Sequence, residues 1–183
     1  MADKKTVCIH EAGHVIAAMN FRVFVGYTQC MPTSFIKRLL FKLRNFIRFF
    51  EFRKSSFYGY THVNVSSSYN ERLVIAASGV VAEALLERNF QGSFDIAFLD
   101  DKRSGEKDFD TIFRIVNKAR EECIWTFSIN EACEHAWKLL KQNSKGLRAL
   151  ADELEAKCYL AKHEIDQIVT SVNCYVLPNL LID

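Results

Sequence analysis

His10-Glu11-Ala12-Gly13-His14 spells HExxH, and the rest of the chain is read outward from these five residues. On a helix, residues four apart share a face, so both imidazoles project the same way. Two nitrogens at that spacing can reach one Zn2+ at about 2.0–2.1 Å each. Glu11 lies one residue along, placed to act on a zinc-bound water rather than on the metal. The pattern therefore predicts a zinc-dependent peptide hydrolase. On its own it is only moderately specific, because two helical histidines can also share a face and bind nothing.

The flanking sequence predicts the frame. A helix is expected over Asp3–Asn20 with Asp3 as its cap. Phe21–Cys30 and Phe57–Val65 are rich in β-branched and aromatic residues and are expected to be strands. In the second strand, Tyr60, His62 and Asn64 would share one face, and Thr61, Val63 and Val65 the other. Ser68 and Glu71 form a capping box ahead of LVIAASGVVAEALLE. The small residues Ala76, Ala77, Ser78, Gly79 and Ala82 would let a neighbour approach its backbone, so this is the expected buried central helix. A polar, irregular connection is expected over Asn89–Lys107. A helix over Asp108–Thr126 would carry the stripe Phe109, Ile112, Phe113, Val116 and Ile124. Ser128 and Glu131 form a second capping box, opening a helix to about Asn143. A helical hairpin over Leu147–Ala156 and His163–Val172 completes the sequence. With only two prolines and seven glycines, long helices are favoured. The expected fold is one mainly α domain over 1–183, a helical bundle with a small β-sheet beside the zinc helix.

Composition narrows the function. A protein of 183 residues, 49% hydrophobic and 13% aromatic, can bury a substantial core and is not disordered. Its 24 basic and 22 acidic residues nearly balance, which argues against a nucleic-acid partner. No apolar run reaches membrane-span length, and Met1–Lys5 is polar, unlike a secretory signal. A cytoplasmic location follows, with Cys8, Cys30, Cys123, Cys133, Cys158 and Cys174 as reduced thiols, several of them facing the core. Residues 35–54 stand apart. Seven basic side chains (Lys37, Arg38, Lys42, Arg44, Arg48, Arg53 and Lys54) face one acid, Glu51, and Phe35, Ile36, Leu39, Leu40, Leu43, Phe46, Ile47 and Phe50 follow helical spacing. This basic aromatic insertion suits an anionic membrane surface or a partner's groove. A helix packed on the core with an exposed basic face fits the same pattern.

A catalytic zinc needs a third protein ligand and an open position. By chemistry the candidates are His62, His135, His163, Glu83, Asp95, Asp100, Asp101, Asp108 and Asp110. His135 and His163 lie among charged residues in late helices and suit the surface. Glu83 lies on the small-residue helix, where a buried carboxylate needs a metal or a ligating histidine as partner. Asp108 begins a helix and could equally be its cap. Spacing does not choose between Glu83 and Asp108.

Several segments resemble one family. HEAGHVIAA resembles the zinc motif of the FtsH-type ATP-dependent metalloproteases, close to HEAGHALVA. Gly59-Tyr60-Thr61 resembles that family's LGYT, and ASGVVAEALLE its GGRAAEEL helix, with Val80 in place of Arg. SGEKDFDTIFRIVNKAR resembles TGAxNDLxxATxIARxMV, and the C-terminal helices resemble LLxxxxxxLxxLAxxLLExETLxGxEI. The resemblance runs from Thr6 to about Val169. It implies a helical protease domain with zinc on His10, His14 and Asp108, Glu11 as base, and Glu83 supporting a ligating histidine. Asp110 is an alternative ligand, because the Asp108 segment is offset by a residue. The family's ATPase module has no counterpart here, since no GxxxxGK[ST] loop occurs. The implied protein is a metalloendopeptidase acting on polypeptides without its own motor, for which an ATPase in trans is a candidate partner; the family's members form hexameric rings, but without an ATPase ring none is assumed here. The rival expectations are a protease-like adaptor that keeps zinc without cutting, and a membrane-surface protein working through residues 35–54.

Overall fold

A computed structural model describes residues 3–32, 57–63, 68–95, 106–172 and 174. In sequence order these form α1 (Lys4–Asn20), β1 (Val25–Pro32), β2 (Phe57–Val63), α2 (Tyr69–Glu87), α3 (Glu106–Glu121), α4 (Ile129–Gln142), α5 (Ser144–Lys157), β3 (Tyr159–Ala161) and α6 (Lys162–Ser171). The described part is thus mainly helical, with one small antiparallel sheet of order β2-β1-β3. The basic insertion at 35–54 lies outside the described residues, as do Asn64 and Val65. Among the described residues no helix is long and apolar enough to cross a membrane.

Two helices make the centre. Asp3 caps α1 by accepting from the Thr6 amide at 2.7 Å. Burial then runs nearly all round α1, from Val7 through Ala18. The capping box of α2 is closed in both directions, between Ser68 and Glu71. Its buried run extends from Leu73 to Leu85, as expected of the central helix. The two backbones meet at Gly13, where a Cβ would lie 2.5 Å from the Ser78 carbonyl oxygen and 2.8 Å from Ala82 Cβ. Helices α3 and α4 pack on α2, and α5 and the sheet pack on α1. Their buried apolar side chains join in one cluster, which also takes Ile165 and Val169 of α6. Four of the six free cysteines, Cys8, Cys30, Cys133 and Cys158, are fully buried.

Element ends depart from expectation for backbone reasons. The first strand begins at Val25 rather than Phe21, because Arg22 turns left-handed at φ 56° and Val23 donates back to the Ala18 carbonyl at 2.9 Å. Helix α3 begins at Glu106, two residues before Asp108, and stops at Glu121 rather than Thr126. Cys123 there takes φ 57°, and the Ile124 amide closes on Ala119 at 2.8 Å. The buried stripe of α3 is consequently Ile112, Ile115 and Ala119, with Phe109 and Val116 partly buried beside it. Phe113 and Ile124, expected on that stripe, are about half exposed. Strand β3 was not expected. It is three residues long, too short for a period-two pattern, and follows a left-handed Cys158 that ends α5.

Candidate metal centre

Helix α1 presents His10 and His14 on the side facing α2 and α3, and α3 brings Asp108 to them. The ring atoms His10 Nε2 and His14 Nε2 are 3.1 Å apart. Asp108 Oδ2 lies 2.8 Å from the first and 3.5 Å from the second. Three ligands on a tetrahedral zinc with bonds near 2.0–2.1 Å would be separated by about 3.3 Å, so the spacing suits such an ion. Among the described residues, these three form the one His/Cys/Asp/Glu group close enough to share a metal.

The far side of each ring fixes which nitrogen is left to bind an ion. His14 Nδ1 is 2.8 Å from the Ile75 carbonyl, which can only accept, so that nitrogen holds the hydrogen. His10 Nδ1 is 2.6 Å from Glu83 Oε1 and donates to it. In neutral rings both Nε2 lone pairs then point inward at the Asp108 oxygen. Among the described residues, that oxygen is buried and meets no donor besides these two ring nitrogens. Three electron-pair donors meeting in a buried site call for a cation. Gly79 of α2 leaves the room for it. A Cβ there would stand 2.6 Å from His14 Nε2 and closer still to His10 Nε2.

Electrostatics favours positive charge in the same space, a proton where no ion is held. Burial opposes a charged His10 ring, yet its contacts with Asp108 and Glu83 outweigh that and raise it to about 10. Burial likewise opposes charge on His14, and Asp108 again lifts it. Burial would raise Asp108, but His14 and His10 hold its carboxyl well below the usual carboxylate range. The site keeps an anion at Asp108 and draws positive charge into the space between the rings.

Glu11 occupies the cleft side of α1 and is held from the sheet. Thr61 of β2 donates to Glu11 Oε2 at 2.6 Å. The Thr61 hydroxyl is itself 2.9 Å from that of Thr28, its register partner on β1. Gly59 gives Glu11 its space, since a Cβ there would come within 2.5 Å of Glu11 Cδ. Burial is the foremost cause that raises the Glu11 carboxyl, with both histidines and Thr61 working against it. The group faces a cleft of about 590 Å3, walled by residues of α1, β1, β2, α2 and α3.

The structure thus brings together His10, His14, Asp108, Glu11 and Glu83, with Glu83 behind a ring rather than in the three-atom group. Asp108 lies within α3 and turns its carboxyl to the rings instead of capping the helix. Asp110 lines the cleft but stays out of the group. His62 stacks on Tyr27 at 5.5 Å across the sheet, His135 stacks on Phe127 at 4.7 Å, and His163 and Asp95 are exposed. Asp100 and Asp101 lie outside the described residues. Sequence reasoning did not assign Thr28, the Ile75 carbonyl, or the roles of Thr61, Gly59 and Gly79. The alternation of β2, which sets Thr61 opposite Tyr60 and His62, was the available signal for Thr61. No family model matches the sequence, and no curated protein matches it either.

Proposed function

We propose that the protein is a zinc-dependent metalloendopeptidase, built on the plan of the FtsH-type protease domains that its motifs resemble. The observation that carries this is the convergence of two imidazole nitrogens and a carboxylate oxygen beside a buried glutamate at an open cleft. His10, His14 and Asp108 would hold the ion. Zinc in such a site supplies Lewis acidity, polarising the scissile carbonyl and making water more acidic.

The remaining work belongs to the protein's own groups. Glu11 Oε2 is held by Thr61, so Oε1 is the atom free to take a proton from the attacking water. Glu11 then delivers that proton to the amine nitrogen as the peptide C–N bond breaks. Its raised carboxyl is better matched to this exchange near neutral pH than an ordinary glutamate. Glu83 and the Ile75 carbonyl fix the ring tautomers. Strand β2 is an edge of the sheet and lines the cleft, where an extended substrate could pair with its main chain.

The test is cleavage of an unfolded, casein-like protein by the zinc-supplied protein, with and without a chelator. Glu11→Gln should retain zinc and lose at least about a hundredfold in rate. Full activity in that variant would remove Glu11 from the chemistry. Zinc binding without any cleavage by the wild type would leave the adaptor reading instead.

A further inference from the structure

The cleft walls carry charge that the metal centre does not use. Glu11 and Asp108 belong to that centre. What remains is Arg72 of α2 and Arg114 of α3 against a single acid, Asp110. Among the described residues neither guanidinium forms an ion pair. Arg72 lies 5.4 Å over the Tyr69 ring, and the Tyr69 hydroxyl donates to Glu122 at 2.7 Å. Glu122, one of two acids on that side with Glu121, is thereby engaged, and it also faces Lys118 at 3.8 Å. Arg114 folds onto its own helix, its Nε toward the Asp110 carbonyl at 3.3 Å and its Nη2 toward the Thr111 hydroxyl at 3.1 Å. These neutral acceptors orient the guanidinium, and among the described residues no carboxylate pairs with it. The adjoining walls are apolar, with Val63, Ile75, Ala76 and Ile115.

The geometry points to a carboxylate-binding subsite in this cleft, in which Arg72 and Arg114 receive an acidic group of the polypeptide close to the scissile bond. The inference rests on the peptidase reading for the word scissile, but not for the binding itself. A guanidinium presents a fork of donors that matches a carboxylate, and an apolar surround strengthens the pair by thinning the water about it. The carboxylate could be an Asp or Glu side chain, or the carboxyl terminus of a peptide.

The experiment measures binding of matched fluorescent peptides to the zinc-supplied Glu11→Gln protein, so that peptides survive the measurement. The peptides differ at one position, Glu, Gln or Lys, each with a free or an amidated carboxyl terminus. The Glu peptide should bind about tenfold tighter than its Gln twin, the scale of one charge-assisted contact, and Lys should bind weakest. If the preference instead follows the free carboxyl terminus, the subsite takes peptide ends. In Arg72→Gln/Arg114→Gln the ratio should fall toward one, with zinc content and helicity as in the parent. Equal binding of Glu and Gln peptides with either terminus overturns the inference, as does a preference that survives both arginine changes. Cleavage by the protein with Glu11 intact is scored apart. Its absence beside a strong carboxylate preference removes the peptidase reading and leaves the subsite standing.

Discussion

Thr61 shows most directly how much one residue can add. It spends its hydroxyl proton on Glu11 Oε2, and Thr28 supports it from the neighbouring strand. Thr61→Val keeps the shape and removes the donor. It should lower kcat about ten- to a hundredfold, the usual cost of losing a supporting partner, while zinc content stays at the wild-type level. Thr61→Ser should restore most of the rate, which a merely packed threonine would not require. An unaltered kcat in Thr61→Val would show that Glu11 needs no such support. The histidine pair was legible because helical spacing alone sets it. Thr61 has no such signature, since its contact spans fifty residues and depends on how β1 and β2 register. The third acidic group lay between these cases. Local pattern left Glu83 and Asp108 open, the family resemblance favoured Asp108, and folding places the two on opposite sides of the His10 ring.

Most helix ends were readable, the stops of α1, α2 and α4 at Asn20, Glu87 and Gln142 among them, while α3 starts two residues early and stops five residues short of the expected Thr126. Both capping boxes use side chains three residues apart, so Ser68 with Glu71 and Ser128 with Glu131 announce themselves locally. The stop of α3 leads into Cys123, a left-handed residue that is not glycine, and nothing in its side chain signals it. Helix α4 carries a consequence of its burial. Cys133 is fully enclosed, and burial pushes its thiol from 9.0 up to about 11. The unfolded protein loses that proton first. The stability owed to Cys133 is thus whole below pH 9 and lost as pH rises through about 11. The slope is at most about 1.4 kcal/mol per pH unit for this thiol. Urea midpoints measured from about pH 8 to 11 should fall less steeply in Cys133→Ala than in the wild type. Parallel curves would mean that Cys133 titrates normally in the fold.

The whole molecule reads as a frame for one small space. Helices α1 and α2 touch backbone to backbone at Gly13, α3 packs on α2 and brings Asp108 to the histidines, and the sheet closes the other side of Glu11. The small residues of α2 made that close approach legible in advance, because only a stripe without bulky side chains allows it. Gly79 has the same origin and a second use, keeping open the place where the two rings and Asp108 converge. The mainly helical class was legible from the scarcity of Pro and Gly and from the long periodic segments. The cleft was not, because it is walled by five elements spread along the sequence. The most direct measurement is zinc content after equilibrium dialysis against the metal, for the wild type, His14→Ala, Asp108→Ala and Gly79→Ala. About one zinc per molecule is predicted for the wild type, with a large loss in each variant whose helix content is intact. A wild type that takes up no zinc, or an Asp108→Ala protein that retains as much as the wild type, would contradict a metal centre built on His10, His14 and Asp108.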